Sequence, residues 1–139
     1  MRATIQWTGG VSFVGKADSG HAVTMDGAPD MGGQNKGARP MELVLIGTGG
    51  CAAFDVVHIL RKQRQDVSDC VAEIEAQRAE SDPKVFTGIH IHFKVTGRGL
   101  DPRKVGHAIE LSATKYCSAS IMLGKTAAIT HDFEIIQAT

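Results

Sequence analysis

RPMELVLIGTGGCAAFDVVHIL, residues Arg39 to Leu60, is the longest strongly apolar run in the chain, and its reading decides the fold. Leu43, Val44, Ile46, Phe54, Val57 and Leu60 recur at spacings of three and four, which predicts a helix. Pro40 suits a first helical position. Gly47, Gly49 and Gly50 are poor helix formers and leave two readings open. In one, a continuous helix packs closely through its glycines. In the other, the helix breaks and Cys51 sits near a second helix start, where backbone N–H groups favour a thiolate. Asp55 and His58 within the run, and the lack of a flanking stop pattern, argue against a membrane span.

Strands flank this element. Ala3, Ile5 and Trp7 alternate with polar neighbours, Thr8-Gly9-Gly10 turns the chain, and Val11 to Gly15 forms a hairpin partner. His21 to Met25 reads as a third strand ended by Asp26-Gly27. Ala28 to Ala38, rich in Gly, Asn, Gln and Lys, is a loop feeding the helix; it either lines a pocket or merely connects. Beyond the helix, Cys70, Ala72, Ile74 and Ala76 alternate in one strand and Ile89, Ile91, Phe93 and Val95 in the next. The two are expected to pair as a long hairpin around Glu80–Pro83. Asp101 and Pro102 fit the cap and first position of a second helix, with Leu100 and Val105 as a hydrophobic staple. That helix delivers Cys117. A short helix capped by Ser118 and stopped by Gly124 follows, then a last strand through Ile129, His131, Phe133 and Ile135. The order predicts an α+β fold in a single domain, 1–139.

Composition narrows function. Fifteen basic and fifteen acidic residues cancel, so no field is built for nucleic acid or an anionic membrane. Aromatic residues, 5%, are too few and scattered for a base-stacking surface. MRATIQW does not read as a signal peptide. Three cysteines cannot all pair internally, so free thiols and a cytoplasmic location are expected. His90 and His92 share a strand face, but no metal-binding spacing accompanies them, and no metal is expected. No cofactor is expected either.

The cysteines are the candidates for chemistry. Cys70 alternates with a strand's apolar face and reads as a packing residue. Cys51 and Cys117, if their helices are neighbours, suit peroxide reduction: one thiolate becomes a sulfenic acid and the other condenses with it to a disulfide. The first thiol needs a nearby cation, from Arg39, Lys16 or Lys36, and Glu42 is placed to orient an arginine.

Arg39-Pro40-Met41-Glu42-Leu43, then Gly49-Gly50-Cys51, then Lys115-Tyr116-Cys117-Ser118, in this order, resemble the OsmC/Ohr family, and within it the bacterial YhfA-like branch. The likeness covers almost the whole chain. It implies antiparallel sheets around central helices, an intertwined homodimer, and two active sites at the subunit interface. It implies a thiol peroxidase for organic hydroperoxides, with Cys51 as peroxidatic and Cys117 as resolving cysteine. Electrons would come from an external dithiol, in some members a lipoylated protein. Two positions depart from the family pattern. Met41 stands where family peroxidases carry a glutamate, with Glu42 one place later. Lys16 lies where an arginine is usual, and a lysine lacks arginine's bidentate geometry, so slower oxidation is expected. Two other functions fit the same residues: a non-catalytic protein binding a small apolar molecule in the interface pocket, or a homodimer whose cysteines are only core residues.

Overall fold

A computed structural model describes all 139 residues. Its backbone falls into two compact units, Met1–Val44 and Leu45–Thr139.

The first unit is an antiparallel sheet of β1 (Ala3–Gly9), β2 (Ser12–Ala17) and β3 (Ala22–Asp26), in that order. Gly9 and Gly10, both at positive φ, make the β1–β2 turn, and the Trp7 indole donates to the Gly10 carbonyl at 2.9 Å. The loop after β3 is ordered by one carboxylate. Asp26, 1% exposed, accepts from the backbone N–H groups of Gly27, Gln34 and Lys36. These donors hold its carboxyl below the usual range, the Gln34 bond contributing most. At Gly33 a Cβ would overlap the Gly27 carbonyl, so the loop can fold back only on a glycine. No apolar side chain of this unit is buried, and Ile5, Trp7 and Val23 stand open.

α1 (Pro40–Lys62) begins in the first unit and runs through the second without a break, so the continuous reading holds. Cys51 is therefore mid-helix, where backbone N–H groups are spent on intrahelical bonds, and no second helix start is present to favour its thiolate. The buried stripe is Thr48, Gly49, Ala52, Val56 and Leu60. It shares only Leu60 with the large apolar residues that gave the periodicity: Ile46 is 61% exposed and Phe54 69%. The helix thus has two apolar faces. The one carrying Gly49, Ala52, Val56 and Leu60 packs inward, with Gly49 close to Ile74. Past Lys62 the chain leaves the helix through Arg64 in the left-handed conformation, with Gln65 N–H donating to the Leu60 carbonyl.

The second unit's sheet has the order β4 (Asp66–Arg78), β5 (Phe86–Arg98), β6 (Ala128–Gln137). β4 and β5 form the expected long antiparallel hairpin, while β5 and β6 pair in parallel. The expectation of antiparallel sheets is corrected here: this sheet is mixed. The cause is the helical crossover between β5 and β6, which returns the chain to the end where β5 began. Phe86, Ile89, Ile91, Phe93 and Val95 of β5 form the core with Val56 and Leu60 of α1 and Val105, Ala108 and Ile109 of α2 (Pro102–Leu111). Asp101 caps α2 as its sequence predicts, accepting from Arg103 N–H at 2.9 Å. α2 then widens into a π-turn over Ser112–Tyr116, and α3 (Ser118–Leu123) follows.

Candidate thiol site

The π-turn places Cys117. Its N–H donates to the Ser112 carbonyl at 2.8 Å, five residues back, which closes the wider ring of a π-helix. Its backbone then turns extended, and Cys117 itself becomes the N-cap of α3. Its Sγ accepts from Ser120 N–H at 3.4 Å. The sequence pointed to Ser118 for that cap. The sulfur takes it because Ser118 already has helical geometry and cannot turn its side chain back onto the helix N–H groups.

Cys117 is wholly buried, and the Cys51 sulfur lies close enough to its thiol to act on it. Burial pushes the Cys117 thiol up from its ordinary value, and the neighbouring Cys51 sulfur adds to this, while the Ser120 hydroxyl and N–H pull the other way. Cys117 is thus held as a thiol. Cys51 is only partly covered, and no disulfide joins the two. The fold has brought together one accessible and one buried thiol from α1 and the π-turn.

Two residues not singled out as candidates tie this pair down. Ser112, buried, shares its one hydroxyl proton between the Ala52 carbonyl at 3.3 Å and Asp55 Oδ2 at 3.2 Å. Asp55 was legible only as a polar interruption of an apolar run, and no local pattern tied Ser112 to this site. Beyond them, Asp55, His58, Ile59 and Lys62 line a cleft of ≈ 400 Å³ with Leu111 and Tyr116, starting one helical turn from Cys51. His58 stacks on Phe54 at 5.8 Å, and Lys115 lies over the Tyr116 ring at 5.2 Å.

Of the other candidates, Glu42, Arg39, Lys16 and Lys36 belong to the first unit, and Cys70, His90 and His92 to the sheet of the second. Glu42 does not pair with the Arg39 guanidinium. Its carboxylate accepts the Arg39 backbone N–H at 2.8 Å, as the third helical residue reaching back to the cap. The Arg39 guanidinium donates instead to Asn35 Oδ1 and the Gly37 carbonyl. Met41 is half-buried in the first turn of α1. Lys16 is exposed on β2 opposite Thr4 and Ala22, and Lys36 gives its backbone N–H to Asp26. Cys70 lies on the inward face of β4, its thiol pushed up by burial and by Asp69. His90 and His92 are bound across β6. His90 meets Thr130 and Asp132, and His92 meets Asp132 at 2.6 Å. No group of three or more His, Cys, Asp or Glu is placed to hold a metal.

Two sheets, a glycine-bearing central helix, and a thiol pair shared between that helix and a π-turn define an OsmC-type protein. The OsmC-like protein family model matches residues 33–132, and the chain belongs to this family. It is 46% identical to Protein YhfA of Escherichia coli K12 over 99% of this chain and all of YhfA. A hypothetical protein of Aquifex aeolicus shares 28% identity and superposes with a TM-score of 0.87, covering 99% of this chain and 97% of the other. An organic hydroperoxide resistance protein from Legionella pneumophila has the same fold at a TM-score of 0.74 and 16% identity, covering 96% and 95%.

Proposed function

We propose that this protein is a cysteine peroxidase that reduces organic hydroperoxides, and that it acts as a cytoplasmic homodimer. The observation that carries the reading is the contact between a partly exposed Cys51 and a buried Cys117. The fold shared with hydroperoxide resistance proteins supports it.

The arrangement suits two steps. The Cys51 thiolate attacks the terminal peroxide oxygen. The O–O bond breaks, the alcohol leaves with a proton, and Cys51 becomes a sulfenic acid. Before this step the Cys51 sulfur opposes charge on Cys117. Afterwards the Ser120 N–H still donates to the Cys117 sulfur, and Cys117 is the nucleophile of the second step. It attacks the Cys51 sulfur, a disulfide forms and water leaves. An external dithiol, free or on a lipoylated protein, then exchanges with the disulfide and carries it away. The cleft beside Asp55 and Ile59 offers room for an apolar body. Such contacts discriminate only about 1–3 kcal/mol per methylene, so the preference for organic over hydrogen peroxide is graded.

Cumene hydroperoxide added to reduced protein tests this. Wild type should consume it and lose two hydrogens as a Cys51–Cys117 disulfide. Cys117→Ser should stop at the sulfenic acid, and Cys51→Ser should be inert. Lys16→Ala and Arg39→Ala in the same assay identify the activating cation by a slower first step. A wild type that consumes no hydroperoxide overturns the reading in favour of a non-catalytic binding protein.

A further inference from the structure

The geometry points to Ser112 and Asp55 as positioning residues: they latch the π-turn bearing Cys117 onto the turn of α1 bearing Cys51, and so set the reach between the two sulfurs. The inference rests on the thiol pairing of the proposed function, not on hydroperoxide turnover.

Ser112 stands at the meeting point. Its carbonyl receives the Cys117 N–H at 2.8 Å, and its hydroxyl shares its one proton between two sites on α1, at Ala52, the residue after Cys51, and at Asp55, one turn further on. A buried hydroxyl costs stability unless it is bonded, and alanine would fill the same space on α2's inner face. The hydroxyl is therefore explained by what it grips. The Ala52 carbonyl has a second lone pair beyond its helical bond, so the grip leaves the α1 ladder intact. Asp55 supplies the stronger, charged acceptor. Around Cys117, the π-turn departs from the regular α-helical ladder, and its position is set by the Cys117 N–H bond to the Ser112 carbonyl and by the bonds of the Ser112 hydroxyl. Small displacements matter here: moving reacting groups by about 1 Å can cost roughly a hundredfold in rate.

Diamide separates this geometry from peroxide chemistry. Its N=N bond takes up both thiol protons and two electrons, becoming a hydrazine, while the two sulfurs join. The full-length protein with Cys70→Ser is treated with diamide, and closure of the Cys51–Cys117 disulfide is followed by mass. In parallel, iodoacetamide reports the intrinsic reactivity of Cys51. Ser112→Ala and Asp55→Ala should slow closure roughly tenfold or more, while Cys51 alkylation stays within about twofold. Asp55→Asn keeps an acceptor oxygen and should retain most of the wild-type rate. Should Ser112→Ala fail to fold, the Asp55 pair carries the test, since Asp55 is partly exposed and alanine favours the helix. Closure at the wild-type rate in the latch variants overturns the inference. So does a fall in closure and alkylation together, in step with melting temperature, which marks a merely structural role. A protein whose closure depends on the latch but which consumes no cumene hydroperoxide keeps the latch and loses only the peroxidase reading.

Discussion

Cys51 and Cys117 have neighbouring sulfurs and opposite access to solvent. That asymmetry assigns them different reactivities before any substrate arrives. With native protein near neutral pH, iodoacetamide should modify Cys51 roughly tenfold faster than Cys117, because only a reachable thiolate reacts. Cys70, whose thiol is also pushed up, should be slow. Peptide mass mapping over time checks the order, and fast labelling of Cys117 would contradict it. Other residues explain why motif and role can part. Glu42 and Arg39 sit where a reactive pair was expected, yet Glu42 is engaged in capping and Arg39 in bracing the Asn35–Gly37 turn. From sequence, a glutamate three residues after a helix start fits either purpose.

At the level of elements, the outer face of the second sheet is a charged lattice. Glu73 on β4 pairs with Lys94 on β5, and His90 and His92 on β5 reach Asp132 on β6. The hydrogen bond from His92 holds the Asp132 carboxyl below its usual range, and Asp132 holds His92 above its own. The two signs define a window. The His92 contribution is full below the unfolded histidine value and fades as pH rises through its raised folded value. The Asp132 contribution is full above the unfolded aspartate value and fades as pH falls through its lowered one. Asp132→Asn should therefore lower the melting temperature most at about pH 5.5 and least above about pH 8.5, when His92 is neutral in both proteins. Equal loss at both pH values would show that the pair contributes no charge interaction. The alternation of His90 and His92 with Ile89 and Ile91 marked a polar face, but not its partners. β6 lies parallel to β5 only because the helices between them form a crossover.

The whole molecule leaves unusual surface uncovered. The first sheet buries no apolar side chain of its own, and α1 exposes Ile46 and Phe54. By length and composition α1 could cross a membrane, and the inward stripe from Thr48 to Leu60 shows one of its faces already committed to protein. A second copy of the chain is the cover we propose. Sedimentation at micromolar concentration should then give twice 14.8 kDa. Phe54→Asp should shift the equilibrium towards the monomer, since each buried phenylalanine contributes about 1.5–3 kcal/mol. A wild type that sediments as a compact monomer would sink the dimer.

By itself the sequence determined the elements. Periodicities of two and near four, and the Asp101-Pro102 cap, are local signals written in adjacent residues, and the α+β order followed from them. The order of proline, glycines and two cysteines was enough to indicate the family. Tertiary structure alone decided which face of α1 is core. Both its faces are apolar, and packing against the sheet selected the stripe of Thr48, Gly49, Ala52, Val56 and Leu60 and left Ile46 and Phe54 outside. It also decided the parallel pairing of β6, the cap made by a sulfur, and the grip of Ser112 on Ala52 and Asp55. The strand pairing and the Ser112 grip join groups far apart along the chain, and no local spacing encodes them, because they exist only once the intervening hairpin and crossover have folded; the Cys117–Ser120 cap is local, but the π-turn before it decides which residue stands at the cap.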